Sequence, residues 1–408
     1  DWSSDVCSSD LGSYGIQGNS ETSENLPYLG LWEAGTYLSA PGLKAKQAPN
    51  PDLGWESTAQ WDVGLDFRLF TGRVSGGFDY YVKNTTDLLF NQPLPRTTGF
   101  SNVTANTAKM KNNGIEFFLS TNNLNPSSGL QWKTDFNIAY NKNEVIDTDG
   151  KEIPGETFGN TFVAEGYPIG IRKLVRYDGI YQETDPLTKE VTDWVDPNNK
   201  DLGTTTKEIT IQPGDELFLN HWNEATNEFN FDRDWVYTGQ SYPDYYGGIR
   251  NTFEYSGFDL NVFFTYSVGQ DVFRDDGKFL IGGFDGNWNQ LAAVKDAWSE
   301  DNLDGSSHKL YWQPDNRNYN STRYLEDASY LRLKTLTFGY TLPATMTNRI
   351  NVSKFRLYVS GINLWTLTDY TGWDPEVNRD SFGNITQGVT YLSPPQVTTY
   401  TMGIEMNF

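Results

Sequence analysis

Alternation of apolar and polar residues with a period of two is the feature that most constrains this chain. Between positions 60 and 69 the apolar residues Trp61, Val63, Leu65, Phe67 and Leu69 occupy every odd position, and the even positions hold polar residues or glycine. Successive side chains of a β-strand point to opposite faces. The pattern therefore predicts a strand with one apolar and one polar face.

The same alternation recurs along the chain and predicts about nine strands, with the stub of one more at 12–18. The nine are expected at 55–70, 73–83, 114–123, 131–142, 244–256, 257–268, 329–342, 354–366 and 398–408. Most have roughly the ~9–11 residues that a tilted strand needs to cross a bilayer. In 329–342 the phase slips between Leu333 and Leu336, as a β-bulge would cause.

The connections between these strands alternate in length. The short ones are 71–72, 124–130, 256–257 and 343–353. The long ones are 84–113, 143–243, 269–328 and 367–397. Barrels of the outer membrane have short periplasmic turns and long extracellular loops. We therefore expect 143–243 to be one large extracellular loop region, in which 169–181 pairs with 209–219, and we expect a short helix at 290–299.

Composition is compatible with a membrane barrel. Hydrophobic residues make up 37% of the chain and the mean hydropathy is -0.59, below the ~45–50% apolar content of soluble proteins. Only every second residue of a barrel strand faces lipid, so a low apolar fraction is allowed. The predicted fold class is all-β, part of a large antiparallel transmembrane barrel. The alternative from alternation alone is a soluble or surface-bound glycan-binding β-sandwich whose apolar faces meet.

Charge and cysteine content exclude several partners. The net charge of -22 repels phosphate backbones, so no nucleic-acid partner is expected. Cys7 is the single cysteine and lies in residues 1–11, DWSSDVCSSDL. This segment resembles a translated sequencing adaptor, and we expect it to be a non-native artefact. Residues 12–408 then contain no cysteine, hence no disulfide.

The last predicted strand carries a candidate membrane-insertion signal. Its apolar residues share one face and end on an aromatic residue: Tyr400, Met402, Ile404, Met406 and Phe408. This arrangement resembles the C-terminal strand by which outer-membrane barrels are recognised for insertion.

The sequence gives little support for catalysis or a cofactor. Both histidines, His221 and His308, fall in predicted loops, where we expect them to be exposed. Paired carboxylates, as in a glycoside hydrolase, are uninformative in so acidic a chain. Residues 213–223 lack the alternating Asp and Asn oxygens of a calcium loop. We predict no enzyme, no cofactor and no metal site.

The long loops are rich in aromatic residues that could stack on sugar rings. The candidate solute-binding residues are Trp222, Trp235, Trp288, Trp312 and Tyr319. Trp373 is expected to serve the structure instead.

Several ordered segments together resemble one family, the SusC/RagA-type TonB-dependent transporters. They are SYGIQGN at 13–19, NPDLGWE at 50–56, DYYVKNTTDLL at 79–89, NNGIE at 112–116, RYLEDASYLRLK at 323–334, NL at 363–364 and GWDPE at 372–376. Each is weak alone, and their order and spacing are specific.

The resemblance implies nutrient import across the outer membrane of a Gram-negative cell. It implies a barrel of about 22 strands with an N-terminal plug, of which residues 12–408 would be the C-terminal portion. The partners it implies are a SusD-like surface lipoprotein, the TonB complex acting through the missing plug, the barrel-assembly machinery and outer-membrane lipid. The solute would be a glycan or a peptide.

Overall fold

One large antiparallel sheet organises the chain. The computed structural model describes residues 7–20, 28–37, 40–100, 102–124, 129–155, 160–182, 194–196, 207–209, 212–219, 234–281, 283–284, 288–312, 320–347, 351–379 and 383–408. Within these residues, ten strands pair in chain order. They are β1 (Cys7–Asn19), β2 (Glu56–Leu69), β3 (Val74–Pro93), β4 (Asn102–Asn122), β5 (Leu130–Asp147), β6 (Tyr245–Tyr255), β7 (Phe258–Val268), β8 (Tyr330–Thr341), β9 (Lys354–Thr368) and β10 (Thr399–Asn407). All nine predicted strands and the stub are present.

The expected long loop at 84–113 is wrong. β3 and β4 have 20 and 21 residues and stay paired from Val74↔Thr121 to Pro93↔Asn102. Irregular pairing around Leu88, next to Asp87 with a positive φ of 58°, breaks the alternation there. The sequence pattern ended at this irregularity, while the hairpin continues beyond it.

The predicted bulge in β8 is confirmed. Against β7, Phe263 faces Thr335 and Phe264 faces Leu333, so Lys334 is the extra residue. The pairing with β9 is also irregular after Leu333, which faces Trp365. One extra residue on a strand moves the following side chains to the opposite phase. The apolar face therefore stays continuous across the slip.

The apolar face of the sheet is exposed. One cross-strand row consists of Leu260 in β7, Phe338 in β8, Val359 in β9 and Met402 in β10. Met402 has 83% of its surface exposed, and Val63 of β2 has 53%. No second sheet packs on this face within the described residues, which removes the sandwich alternative. An apolar surface of this extent requires a nonaqueous environment.

The opposite face is polar and its side chains bond across strands. Arg356 of β9 donates two hydrogen bonds to the Asp259 carboxylate of β7, at 2.9 and 2.6 Å. The Tyr81 hydroxyl of β3 donates to Asn141 Oδ1 of β5 at 3.0 Å. Apolar outside and polar inside is the pattern of a transmembrane barrel with a lumen.

Connection lengths sort by end as expected with one exception. The connection 94–101 between β3 and β4 is short although it lies at the end of the long ones. Ser256 and Gly257, both with positive φ, form the two-residue turn between β6 and β7, as a type I′ hairpin requires. The long connections 20–55, 148–244, 269–329 and 369–398 all lie at the other end of the sheet. No described helix is long and apolar enough to cross a membrane.

The long connections contain short elements of their own. The strands are Leu31–Tyr37, Ala40–Gln47, Ile153–Pro154, Thr161–Val163, Ile171–Val175, Tyr177–Ile180, Trp194–Asp196, Lys207–Ile209, Glu216–Phe218, Trp235–Thr238, Asp271–Arg274, Gly283–Phe284, Tyr311–Trp312, Leu325–Asp327 and Val389–Thr390. The helical turns are Arg96–Thr98, Gly277–Leu280, Ala292–Asp296 and Thr322–Tyr324, with Ala344–Thr347 at the short-turn end.

Two predictions in these connections need correction. The helix expected at 290–299 is a 3-10 turn at Ala292–Asp296. Of 169–181, only Tyr177–Ile180 pairs with Glu216–Phe218; Ile171–Val175 pairs with Trp235–Thr238 instead. Alternation within a strand shows which residues share a face, but it does not specify which strand is the partner.

Candidate functional site

Three long connections merge into one layer at the end of the sheet. We call the described parts of 148–244, 269–329 and 369–398 the outer-loop layer. The Phe273 amide donates to the Gly388 carbonyl at 2.7 Å, and the Lys309 amide donates to the Gly214 carbonyl at 2.9 Å. Val175 forms a parallel bridge with Ser321. Each of the three connections therefore touches another through its main chain.

Arg172 joins the first connection to the third. Its side chain is fully buried, and Nη2 donates to the carbonyls of Gln387 and Gly388 at 2.9 and 2.7 Å. Burial lowers the pKa of Arg172 to about 10, against the attraction of Asp271, so the guanidinium is still charged at neutral pH. Burial also raises the pKa of Asp271. The charge is held by carbonyl dipoles as well as by this carboxylate.

A second ionic group joins the second connection to the third. Arg274, with 6% of its side chain exposed, bonds Glu326 at 3.0 Å and the Thr371 hydroxyl at 2.5 Å. The Thr371 amide donates to the same carboxylate at 2.7 Å. Burial raises the pKa of the nearby Asp276 carboxyl, and the positive charge of Arg274 opposes that rise.

The start of β8 fixes the third connection to the barrel wall. Arg332 bonds Asp374 at 2.6 Å and Glu376 at 2.6 Å. Both carboxylates belong to GWDPE at 372–376. Trp373, which was expected to serve the structure, has 64% of its surface exposed; the structural contacts of this segment come from the acids beside it.

His308 is buried, so its predicted exposure is wrong. It has 3% of its surface exposed. Nδ1 lies 2.7 Å from the Lys309 carbonyl oxygen, and Nε2 lies 3.9 Å from Glu216, which also pairs with Arg323. Burial lowers the pKa of His308, and Glu216 opposes that shift. No local pattern predicts this burial, because Glu216 lies about ninety residues earlier in the chain. His221 lies outside the described residues.

The PGD segment at 213–215 has a structural role. One Asp215 oxygen accepts from the Gln212 amide at 2.9 Å, and the other lies 3.0 Å from Lys309 Nζ. One oxygen therefore closes a turn, and the other forms an ion pair. Among the described residues, no group of three or more His, Cys, Asp or Glu is placed to hold a metal ion.

The predicted stacking residues fall in different parts of the layer. Trp235 is half-buried and faces Val175 across a strand pair. Trp288, with 40% exposed, stacks on Phe279 at 5.8 Å between ring centroids. Trp312 lies in the short strand Tyr311–Trp312, paired with Gly283–Phe284. Trp222 and Tyr319 lie outside the described residues.

One aromatic neighbour of Trp288 was not predicted. Tyr391, from the third connection, meets Phe279 edge-on at 6.0 Å and Trp288 at 6.4 Å. Of this group, Trp288 offers the most open ring to a solute. Its position is consistent with the stacking role predicted for it, which stays a prediction.

The candidate insertion signal lies on one face of β10. The exposed fractions of its five residues run from 44% for Met406 to 88% for Phe408. Met402 and Ile404 face Val359 and Leu357 of β9. This places them on the apolar face of the sheet, and their recognition by assembly machinery stays a prediction.

Comparison with known proteins gives a consistent result. A family profile described as TonB dependent receptor-like, beta-barrel, matches residues 14–268. TonB-dependent receptor P3 of Formosa agariphila is 34% identical, over 97% of this chain and 39% of the relative. TonB-dependent receptor SusC of Bacteroides thetaiotaomicron is 25% identical, over 97% of this chain and 37% of the relative. These relatives carry the names of receptors, not of enzymes.

Solved structures agree with the sequence relatives. The RagAB peptide transporter superposes with a TM-score of 0.77 at 27% identity, covering 98% of this chain and 40% of that one. The RagAB peptide importer in an open-open state gives 0.75 at 27% identity, with 97% and 40% covered. The chain thus spans about 40% of the length of the proteins it resembles.

Proposed function

The chain belongs to the TonB-dependent receptor family, in its β-barrel part, and on that premise we propose that it serves import of a nutrient across an outer membrane. The solute is a glycan or a peptide, and no chemistry is done on it. The observation that carries the proposal is the sheet with an exposed apolar face, a polar opposite face and all its long connections at one end. Such a wall separates lipid from an aqueous path.

The ten strands do not close into a barrel among the described residues. In the described residues, β1 and β10 each pair with one neighbour of the sheet. Unpaired strand edges are not stable in hydrocarbon, because no water satisfies their main-chain groups. We propose that this chain is the C-terminal portion of a longer receptor, whose other strands close the wall and whose plug receives energy from TonB.

The proposed partner at the outer end is a SusD-like surface lipoprotein. The outer-loop layer offers it a surface tied down by Arg172 and Arg274, and the similar proteins include SusC and RagAB. Trp235, Trp288 and Trp312 are proposed to contact the solute. The candidate insertion signal, Tyr400, Met402, Ile404 and Met406 of β10 with Phe408 after it, is proposed to be recognised by the barrel-assembly machinery.

Residues 1–11 are proposed to lie outside the native strand. On β1, Gly12, Tyr14 and Ile16 follow the apolar face, and the same phase places Asp10 opposite Leu65. A carboxylate on a lipid-facing surface is unfavourable. Sequencing the source DNA through codon 12 tests this: a different in-frame sequence supports the proposal, and an unchanged one contradicts it.

The function is tested with the complete receptor expressed with its leader in a Gram-negative host. We expect it in the outer-membrane fraction, migrating faster in gels before heating than after, and supporting solute uptake only when TonB is present. A soluble chain that melts cooperatively without detergent would contradict the proposal and favour a soluble binding protein.

A further inference from the structure

A cavity on the polar face of the sheet lies beneath the outer-loop layer. Its volume is about 630 Å³, within the roughly 300–1,000 Å³ of ligand pockets. Strands β5, β6 and β7 form its wall, and Tyr242 and Pro243 border it from the loop side. Trp235 and Trp288 are not part of its described lining.

An aromatic surface forms one side of this wall cavity. Phe263 lies against Gly248, where an added Cβ would be 2.9 Å from its ring, so the glycine lets the ring lie close to β6. Arg250 holds the ring by a cation–π contact of 4.7 Å. Tyr246, with 44% exposed, continues the surface toward the loops. Such faces can stack on a flat, weakly polar solute surface.

Neutral hydrogen-bonding groups line the same cavity. Asn137 and Asn141 border it, and the Tyr81 hydroxyl donates to Asn141 Oδ1 at 3.0 Å, which turns the amide donor away from Tyr81. Each amide side chain can both donate and accept hydrogen bonds, so the pair suits the hydroxyl groups of a polar solute.

The charges near the cavity are compensated. Glu376 is its lining carboxylate, and it bonds Arg332 at 2.6 Å, the Tyr330 hydroxyl at 2.7 Å and Gln396 at 3.0 Å. A charged solute would find no free counter-charge on the described lining. That lining also contains no Val, Leu, Ile or Met, so it offers little to an aliphatic peptide side chain.

We infer that this wall cavity is a solute-binding site separate from the outer loops, taking a neutral, hydroxyl-rich ring such as one unit of an uncharged oligosaccharide. The inference rests on the proposed import function and locates a step of it on the lumenal wall. Phe263 supplies the stacking surface, and Asn137 and Asn141 supply the hydrogen bonds.

The test uses the complete receptor in detergent, with and without Phe263→Leu and Asn137→Ala. Tyr358→Leu is the matched control, because Tyr358 lies on the same polar face against Gly403 and has its own cation–π contact of 5.0 Å with Arg356. It is outside the described cavity lining. The probes are maltohexaose, cellohexaose, mannohexaose, an acidic galacturonate hexamer and an end-capped Gly-Ser hexapeptide. Calorimetry gives Kd, and heat-modifiable migration shows that each variant is folded.

We expect a neutral hexaose to bind. Phe263→Leu and Asn137→Ala should each raise its Kd by about tenfold, as loss of one good contact does, and Tyr358→Leu should leave it within about twofold. Unchanged binding by both cavity variants overturns the inference, as does binding of only the capped peptide or the acidic sugar, or of no probe. If the cavity inference is overturned but the wild-type receptor imports solute in cells, the proposed import function still stands. If the receptor neither inserts nor imports, the import function and the cavity inference both fail.

Discussion

Single buried ionic side chains hold the outer-loop layer together, and Arg172 shows how. The sequence marks it only as a basic residue in a strand-like segment, yet its partners are the carbonyls of Gln387 and Gly388, more than two hundred residues away. Nothing local in the sequence specifies such partners. The buried roles of Arg172, Arg274 and His308 were therefore not predictable from the sequence, whereas the exposed apolar residues of the strands were.

Arg172→Met is expected to loosen the contact between the first and third connections. Two hydrogen bonds from a charged donor are lost, worth about 2 kcal/mol in total, so the Phe273 amide should exchange its hydrogen roughly thirtyfold faster. Hydrogen–deuterium exchange of the complete receptor measures this.

Lys173→Met is the matched control for that substitution. Lys173 follows Arg172 directly and pairs at the surface with Glu152, an interaction worth at most about 1 kcal/mol. Equal exchange rates at Phe273 in the two variants would contradict the role given to Arg172.

His308 is expected to make the outer-loop layer less stable in mild acid. Burial lowers the pKa of His308 in the folded layer below its ordinary value, so the unfolded layer binds the proton more readily. Its stabilising effect is complete above the ordinary histidine pKa of about 6.5 and is lost as the pH falls below that value. Tryptophan fluorescence during urea unfolding at about pH 7.5 and pH 5.5 measures the difference.

His308→Gln removes the titrating group while keeping a side chain that can hydrogen-bond. The acid-dependent loss should shrink in this variant if His308 causes it. An identical loss in both proteins would assign the effect to other groups.

Strands were the most predictable elements, because lipid on one side and water on the other impose alternation over the width of a bilayer. The prediction failed where that constraint ends. β3 and β4 continue past Leu88 after their alternation is broken, and the expected helix at 290–299 is a single 3-10 turn. The outer-loop layer is held by distant contacts, so its pairings could be guessed only in part.

Close packing of aromatic rings on glycines is a second property of the strands. At Gly114 of β4 an added Cβ would lie 2.4 Å from the Tyr140 carbonyl oxygen and 2.5 Å from the Tyr81 hydroxyl. Gly114→Ala should therefore strain the wall and cost about 1–3 kcal/mol. The urea midpoint of heat-modifiable folding in detergent measures this cost.

Gly54→Ala, just before β2, is the control, since the nearest atom to an added Cβ there is Asn106 Oδ1 at 3.8 Å, an ordinary contact. We expect that variant to fold like the wild type. A Gly114 variant as stable as the Gly54 variant would contradict the packing argument.

At the scale of the whole molecule, one sheet divides two environments. Its apolar rows, such as Leu260, Phe338, Val359 and Met402, require lipid. Its polar face carries the Arg356–Asp259 pair and the wall cavity, which require water or a solute. The family supplies the reason for such a wall, and the remainder of a longer receptor would close it. The solute itself could not be read from the sequence, because the cavity is assembled from three strands.

The central claim is that the apolar face of this sheet lies in lipid, and spin labels along β10 test it most directly. Single cysteines from Thr399 to Met406 are labelled in the complete receptor, after Cys7 is replaced if that residue is present, and reconstituted in vesicles. We predict that labels at Tyr400, Met402, Ile404 and Met406 collide mainly with oxygen, which concentrates in lipid. Labels at Thr399, Thr401 and Glu405 should collide mainly with a water-soluble nickel complex. Equal access of the nickel complex to both sets would contradict the claim.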